Sequence, residues 1–135
     1  MCGLAALFEV GRRFDRELLS AIDADLFHRG PDSGGHLSEE GWALVFRRLA
    51  IIDPKSQSDQ PMRSADGRQA LIFNGEIYNY RALRAELEQH GVSFRTEGDT
   101  ETLLQGYRTW GEGVLDRLEG MYAFCLVDLA RNAVI

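Results

Sequence analysis

No run of apolar residues in this chain exceeds seven, and the longest, Met121 to Val127, follows directly on Gly120. Seven residues suit a buried strand and fall far short of the ~18 that a membrane helix needs. The fold must therefore be assembled from short strands and amphipathic helices packed on one another. The 135 residues, 44% of them hydrophobic, suit a single domain. A domain of this size buries roughly two-thirds of its unfolded-chain surface, so a sizeable core is within reach.

The rest of the chain fits that expectation. Cys2 to Val10 reads as a buried strand, and Arg12 to Phe27 as a helix with Leu18, Leu19, Ile22 and Leu26 at helical intervals. His28 to His36, HRGPDSGGH, reads as a turn-rich interruption, and Trp42 to Phe46 and Gln69 to Phe73 as strands. A helix is expected over Tyr80 to Gln89, with Asn79 as N-cap, Leu83 and Leu87 as its apolar stripe and Gly91 as the left-handed residue beyond its end. Val92 to Phe94 is expected to be a short strand. Asp99 precedes a helix over Thr100 to Trp110 ended by Gly111, and a short helix is expected over Glu112 to Leu118. Gly120 introduces a strand to Leu129, and the turn Ala130 to Asn132 begins a hairpin return through Ala133 to Ile135. Asp53 to Arg68, with Pro54, Pro61 and Gly67, reads as a surface loop.

Fifteen basic against 21 acidic residues give a net charge of -6, and the basic residues are scattered along the chain. Nucleic acid and anionic membrane are therefore poor partners. No positive charge precedes the apolar stretch Leu4 to Phe8, and Glu9 interrupts it, so no export signal is read and a cytoplasmic location is expected. Cys2 and Cys125 lie at opposite ends of the sequence, in neither a metal-ligand spacing nor a disulfide framework. Cys125 falls inside the longest apolar run and reads as a small buried residue. Trp42, Phe46, Phe73 and Phe124 read as core.

Cys2 is the residue most informative about chemistry. A small second residue permits removal of Met1, after which one residue holds both a thiol and a free α-amine. That amine titrates near ~8 and can take the thiol proton directly or through a water. The alternative is a small buried residue of the first strand, which for an isolated Met-Cys start is the commoner case. Four segments change those odds: HRGPD (28–32), RRLAIID (47–53), FNGEIYNY (73–80) and GDTE (98–101).

With MCG at the start and GMYAF late in the chain, these motifs occur in the order and near the spacing of one family. The sequence closely resembles the N-terminal glutaminase domain of glutamine-hydrolysing asparagine synthetases, among the class II glutamine amidotransferases. That resemblance implies an α+β fold with αββα layers, the four-layer N-terminal-nucleophile hydrolase fold with two antiparallel sheets, spanning residues 1–135 and incomplete at its C-terminus. It implies that Cys2 attacks the side-chain amide of L-glutamine, giving a γ-glutamyl thioester that water hydrolyses to glutamate, with release of ammonia. It carries the oxyanion donors to Asn74 and Gly75, and substrate contacts to Arg48, Ile52, Asn74, Gly75, Glu76 and Asp99.

Each has a plainer alternative: a hairpin turn for Asn74-Gly75, a solvated strand residue for Arg48, a helix N-cap for Asp99. His28, Arg29 and Asp32 are expected to shape a loop near the site. The pattern departs at Phe46, where the family usually has His. No cofactor or metal is implied for the glutaminase step, whereas ATP and magnesium are implied for a synthetase domain that would lie in a longer chain and accept the ammonia. A homodimer of that longer enzyme is left open. Two rivals stand beside this reading: a free-standing N-terminal cysteine amidase, and an inactive truncated module that binds a partner through an incomplete sheet edge.

Overall fold

The computed structural model describes residues 2–50 and 58–135. In chain order the elements are β1 (Gly3–Phe8), α1 (Arg16–Leu26), β2 (Ser33–Glu39), β3 (Trp42–Arg48), β4 (Met62–Arg63), β5 (Gln69–Ile77), α2 (Tyr80–Gln89), α3 (Asp99–Trp110), a 3-10 helix over Gly111–Arg117, β6 (Gly120–Asp128) and β7 (Ala133–Val134). Two antiparallel sheets result, one ordered β1-β3-β2 and the other β4-β5-β6-β7. The fold is α+β, as expected. Ile52 and part of the expected 53–68 loop lie outside the described residues.

Strand alternation explains the layering. Successive side chains point to opposite faces, so a strand buried on both faces serves two cores. In β3, Trp42, Leu44 and Phe46 face the second sheet and pack with Ala70, Ile72 and Val127. Ala43 and Val45 face the other way, against Leu18, Leu19, Ile22 and Leu26 of α1. In β5, Leu71, Phe73 and Ile77 turn outward to meet Leu83 of α2 and Leu103, Leu104 and Tyr107 of α3. The order is therefore α1, first sheet, second sheet, α2 with α3. Leu44, Phe46 and Ile72 are fully buried between the sheets, each worth about 1.5–3 kcal/mol in transfer from water. Phe46, where the family usually has His, is simply part of this core.

The departures from sequence expectation have local causes. The HRGPDSGGH segment turns as expected over residues 28–32, but residues 33–36 enter β2, because its glycines answer close packing as well as turning. A Cβ on Gly30 would lie 2.4 Å from the Arg47 backbone, and one on Gly34 would lie 2.6 Å from the Arg47 guanidinium. Asn74-Gly75 is no turn either. Both residues stay in β5, opposite Ala123 and Tyr122 of β6. Gly75 has φ +153°, and a Cβ there would sit 2.2 Å from the Met121 carbonyl oxygen.

Val92 to Phe94 forms no strand. The Val92 N–H donates to Leu87 O (3.0 Å), closing the end of α2, and the Phe94 ring lies under the Arg84 guanidinium at 4.1 Å. Asn79 holds the N-cap position of α2 without capping it. Its side chain instead donates to Arg117 O (2.8 Å) and accepts from Glu119 N (3.0 Å), tying the start of α2 to the approach to β6. Gly91, with φ +84°, terminates α2 as its position predicted. No helix among the described residues is long and apolar enough to cross a membrane.

Candidate active site

The two sheets open at the end where β1 begins and β3 finishes. A cleft of about 420 Å³ lies there, lined by Cys2, Arg48, Asn74, Gly75, Glu76 and Asp99 together. These are the predicted site residues other than Ile52. They come from the residue just before β1 and from β3, β5 and α3, so only the tertiary fold could assemble them.

Cys2 immediately precedes β1. Its thiol is held by one residue of the segment after β3: the Leu49 N–H donates to Sγ at 3.3 Å, and Sγ–H donates to Leu49 O at 3.6 Å. Its backbone is held separately, by the Arg29 guanidinium donating through Nε to Cys2 O at 3.0 Å. The loop around Gly30 underlies both contacts. Asp32 N donates to Arg48 O (3.1 Å), and the Asp32 carboxylate accepts from Ala50 N at 2.8 Å, fixing the 48–50 segment on either side of Leu49. The loop-shaping role expected of Arg29 and Asp32 thus takes a concrete form. Among the described residues the His28 ring makes a local contact, with Asp25 O at 2.8 Å.

The geometry of β5 explains why Asn74 and Gly75 sit here. Ala70 and Ile72 face the space between the sheets, so alternation brings Asn74 onto that face next, at the open end beside Cys2. Main-chain groups alternate as well, from one strand edge to the other. Phe73 N donates to the Gln60 side chain (2.6 Å) and Ile77 N to the Asp99 carboxylate (3.1 Å). The Gly75 N–H, two residues from each, points to the same edge and therefore into the cleft. A side-chain amide and a main-chain N–H thus border one space.

Arg48 is no solvated strand residue. It is 6% exposed, on the face of β3 that carries Leu44 and Phe46, and Nη1 donates to the Asp59 carboxylate at 3.0 Å. Asp59 is in turn held by Ser33 Oγ at 2.9 Å. Asp99 is no N-cap. Gly98 takes that position, and Asp99, 5% exposed, is the first residue of α3. Burial pushes the Asp99 carboxyl above its ordinary range. The N–H groups of Ile77, Asp99 and Thr100 favour its ionised form and pull the other way, while the Glu76 charge adds to the rise. A buried carboxyl in this state gains most from a cation arriving beside it.

Cys125 lies half-buried in β6 against the inter-sheet core, and burial raises its thiol pKa. Among the described residues no group of three or more His, Cys, Asp or Glu side chains comes together to hold a metal ion. Two supporting residues escaped the sequence reading. Gln60 sat in an apparent surface loop, and Glu101 read only as part of a motif. Glu101 is fully buried at the start of α3 and accepts from Arg95 N, Thr96 N and Thr96 Oγ1 at 2.6–3.1 Å, which orders the turn that delivers Asp99. No periodicity marks either residue; a polar side chain inside the GDTE motif is the signal offered for Glu101, and Gln60 lies outside every motif named.

The chain is 42% identical over 130 residues to asparagine synthetase [glutamine-hydrolyzing] 1 of Bacillus subtilis, covering 93% of this chain and 20% of that protein. It is 41% identical over 137 residues to asparagine synthetase [glutamine-hydrolyzing] 3 of Arabidopsis thaliana, covering 100% and 23%. The chain thus spans about a fifth of the length of these curated relatives. Among solved structures it resembles the glutamine phosphoribosylpyrophosphate amidotransferase of B. subtilis, with TM-score 0.57 and 28% identity over 68% of this chain and 22% of that one. Residues 1–135 match one domain family throughout, and the chain belongs to it: the glutamine amidotransferase domain family.

Proposed function

We propose that this domain hydrolyses L-glutamine to glutamate and ammonia, with Cys2 as nucleophile, and that the ammonia serves the ATP-dependent amidation of aspartate in a synthetase domain of a longer chain. One observation carries the reading: a single cleft collects a thiol at the second residue, two amide donors and a fixed charge of each sign.

The chemistry follows from those groups. Removal of Met1 exposes the Cys2 α-amine, which takes the thiol proton as sulfur bonds to the side-chain carbonyl carbon of glutamine. Asn74 and the Gly75 N–H donate to the oxyanion that develops. The C–N bond then breaks, and the amine returns its proton to the departing ammonia. A water adds to the γ-glutamyl thioester, giving up its proton to the amine. The C–S bond breaks, glutamate leaves, and sulfur recovers the proton. No cofactor is required for these steps, whereas ATP and magnesium would act in the synthetase domain.

Free glutamine differs from a glutamine side chain in a protein by its charged ends. Arg48 would take the α-carboxylate, and Asp99 with Glu76 the α-ammonium. This charged pair favours an amino acid over a plain amide and weighs against the free-standing amidase. Ammonia release by the full-length protein, followed with intact-mass determination, tests the proposal. Cys2→Ala should lower release from glutamine by more than about 10³-fold, and the active protein should lack Met1. Turnover by Cys2→Ala, or by protein that retains Met1, would sink it.

A further inference from the structure

Gln60 lies two residues before β4 and is only 8% exposed. Its carboxamide oxygen accepts from Phe73 N at 2.6 Å, and its nitrogen donates to Phe73 O at 3.1 Å and to Thr100 Oγ1 at 3.3 Å. The strand register gives this pattern a meaning. Met62 pairs with Leu71 and Arg63 with Ala70, so continuing the ladder sets Gln60 opposite Phe73. At that rung the side chain of Gln60 supplies the donor and the acceptor that a neighbouring strand would supply.

The rung sits next to the oxyanion donors. Phe73 shares a peptide bond with Asn74, and Gly75 follows. On the opposite edge of β5, Asn74 is in register with Ala123. With β6 on one edge and Gln60 on the other, the strand has little freedom to rotate or shift at the point where it presents Asn74 and Gly75 to the cleft. The contact with Thr100 extends the same carboxamide to the first turn of α3, beside Asp99. Gly35 of β2 leaves room for the arrangement, since a Cβ there would lie 2.8 Å from Gln60 O.

We propose that Gln60 is a positioning residue for glutamine hydrolysis, clamping the Phe73 peptide so that the Asn74 amide and the Gly75 N–H converge on one point. The inference rests on the glutaminase reading above. Its signature is kinetic, because misplaced oxyanion donors weaken the transition state more than the bound substrate.

The test uses the full-length protein, with ammonia release from glutamine expressed per reactive Cys2. The reactive fraction is counted by iodoacetamide labelling and mass spectrometry, so that unfolded molecules drop out of the rate. Gln60→Met keeps the length and removes both hydrogen-bonding functions; it should lower kcat about 10- to 100-fold with KM within about threefold. Gln60→Glu keeps the shape and the acceptor for Phe73 N but loses the donor to Phe73 O. Its kcat relative to wild type should therefore climb as pH falls and the new carboxyl gains a proton to donate. A kcat within about twofold of wild type for Gln60→Met, a change confined to KM, or a pH-independent ratio for Gln60→Glu would each overturn the proposal. If wild-type protein released no ammonia, the glutaminase reading itself would fall, before any substitution was compared.

Discussion

Asp99→Asn should move function and stability in opposite directions. The carboxyl is 5% exposed, accepts from Ile77 N at 3.1 Å, and is raised in pKa chiefly by burial. An amide of the same shape can keep its oxygen toward Ile77 N but cannot answer a cation. A charge-assisted hydrogen bond in a buried site is worth about 1.5–3 kcal/mol, so KM for glutamine should rise about 10- to 160-fold while kcat changes far less.

The empty protein should respond the other way. A carboxyl whose pKa is higher folded than unfolded binds its proton more tightly in the native state. Native stability therefore falls as pH rises from the unfolded value through the raised folded one, and the penalty is complete above it. Asp99→Asn removes that penalty, so the substrate-free variant should melt at a higher temperature than wild type at pH 7. The difference should vanish below the ordinary carboxylate range, where Asp99 is protonated in both states. The wild-type KM should worsen as pH falls through the raised range, and that limb should be missing in the variant. Calorimetry without substrate, alongside KM measured across pH, reads all three effects. A KM within about threefold of wild type, or a lower melting temperature at pH 7, would refute the reasoning.

Two further substitutions separate catalysis from architecture. Asn74→Ala should cost about 10²–10³ in kcat with little change in melting temperature, since it deletes one of the two proposed oxyanion donors from a side chain that lines the cleft; steady-state kinetics with thermal melts check this. Glu101→Leu should destabilise the domain by about 2–4 kcal/mol in denaturant melts, because it leaves the N–H groups of Arg95 and Thr96 without their buried acceptor.

The parts of this fold that were legible share a cause. Where an element's own residues contain its packing pattern, local reading suffices: Leu83 and Leu87 one turn apart, closed by Gly91, mark α2 at the observed bounds. The unbroken run from Met121 lies within β6. Where a residue type answers a neighbour distant in sequence, the same reading fails. Gly34 and Gly35 looked like turn residues because glycine is enriched in turns; in the folded chain they yield space to Arg47 and to Gln60 O. Asn79 looked like a cap until Arg117 and Glu119 were found to occupy its side chain.

The site divides along the same line. Sequence alone singled out the candidate reactive groups, because a thiol at position 2, an Asn-Gly pair after an apolar run and the HRGPD and GDTE motifs are properties of neighbouring residues. It could not say that Arg48 and Asp99 are buried, that Asn74 and Gly75 remain inside a strand, or that Gln60 completes the ladder beside them. Those facts depend on which strand edges meet. Strand pairing joins residues dozens of positions apart through main-chain hydrogen bonds that every residue type can make, so the one-dimensional order carries little record of it. Only the closing of β1, β3 and β5 around one open end of the sandwich turned separate motifs into a cleft.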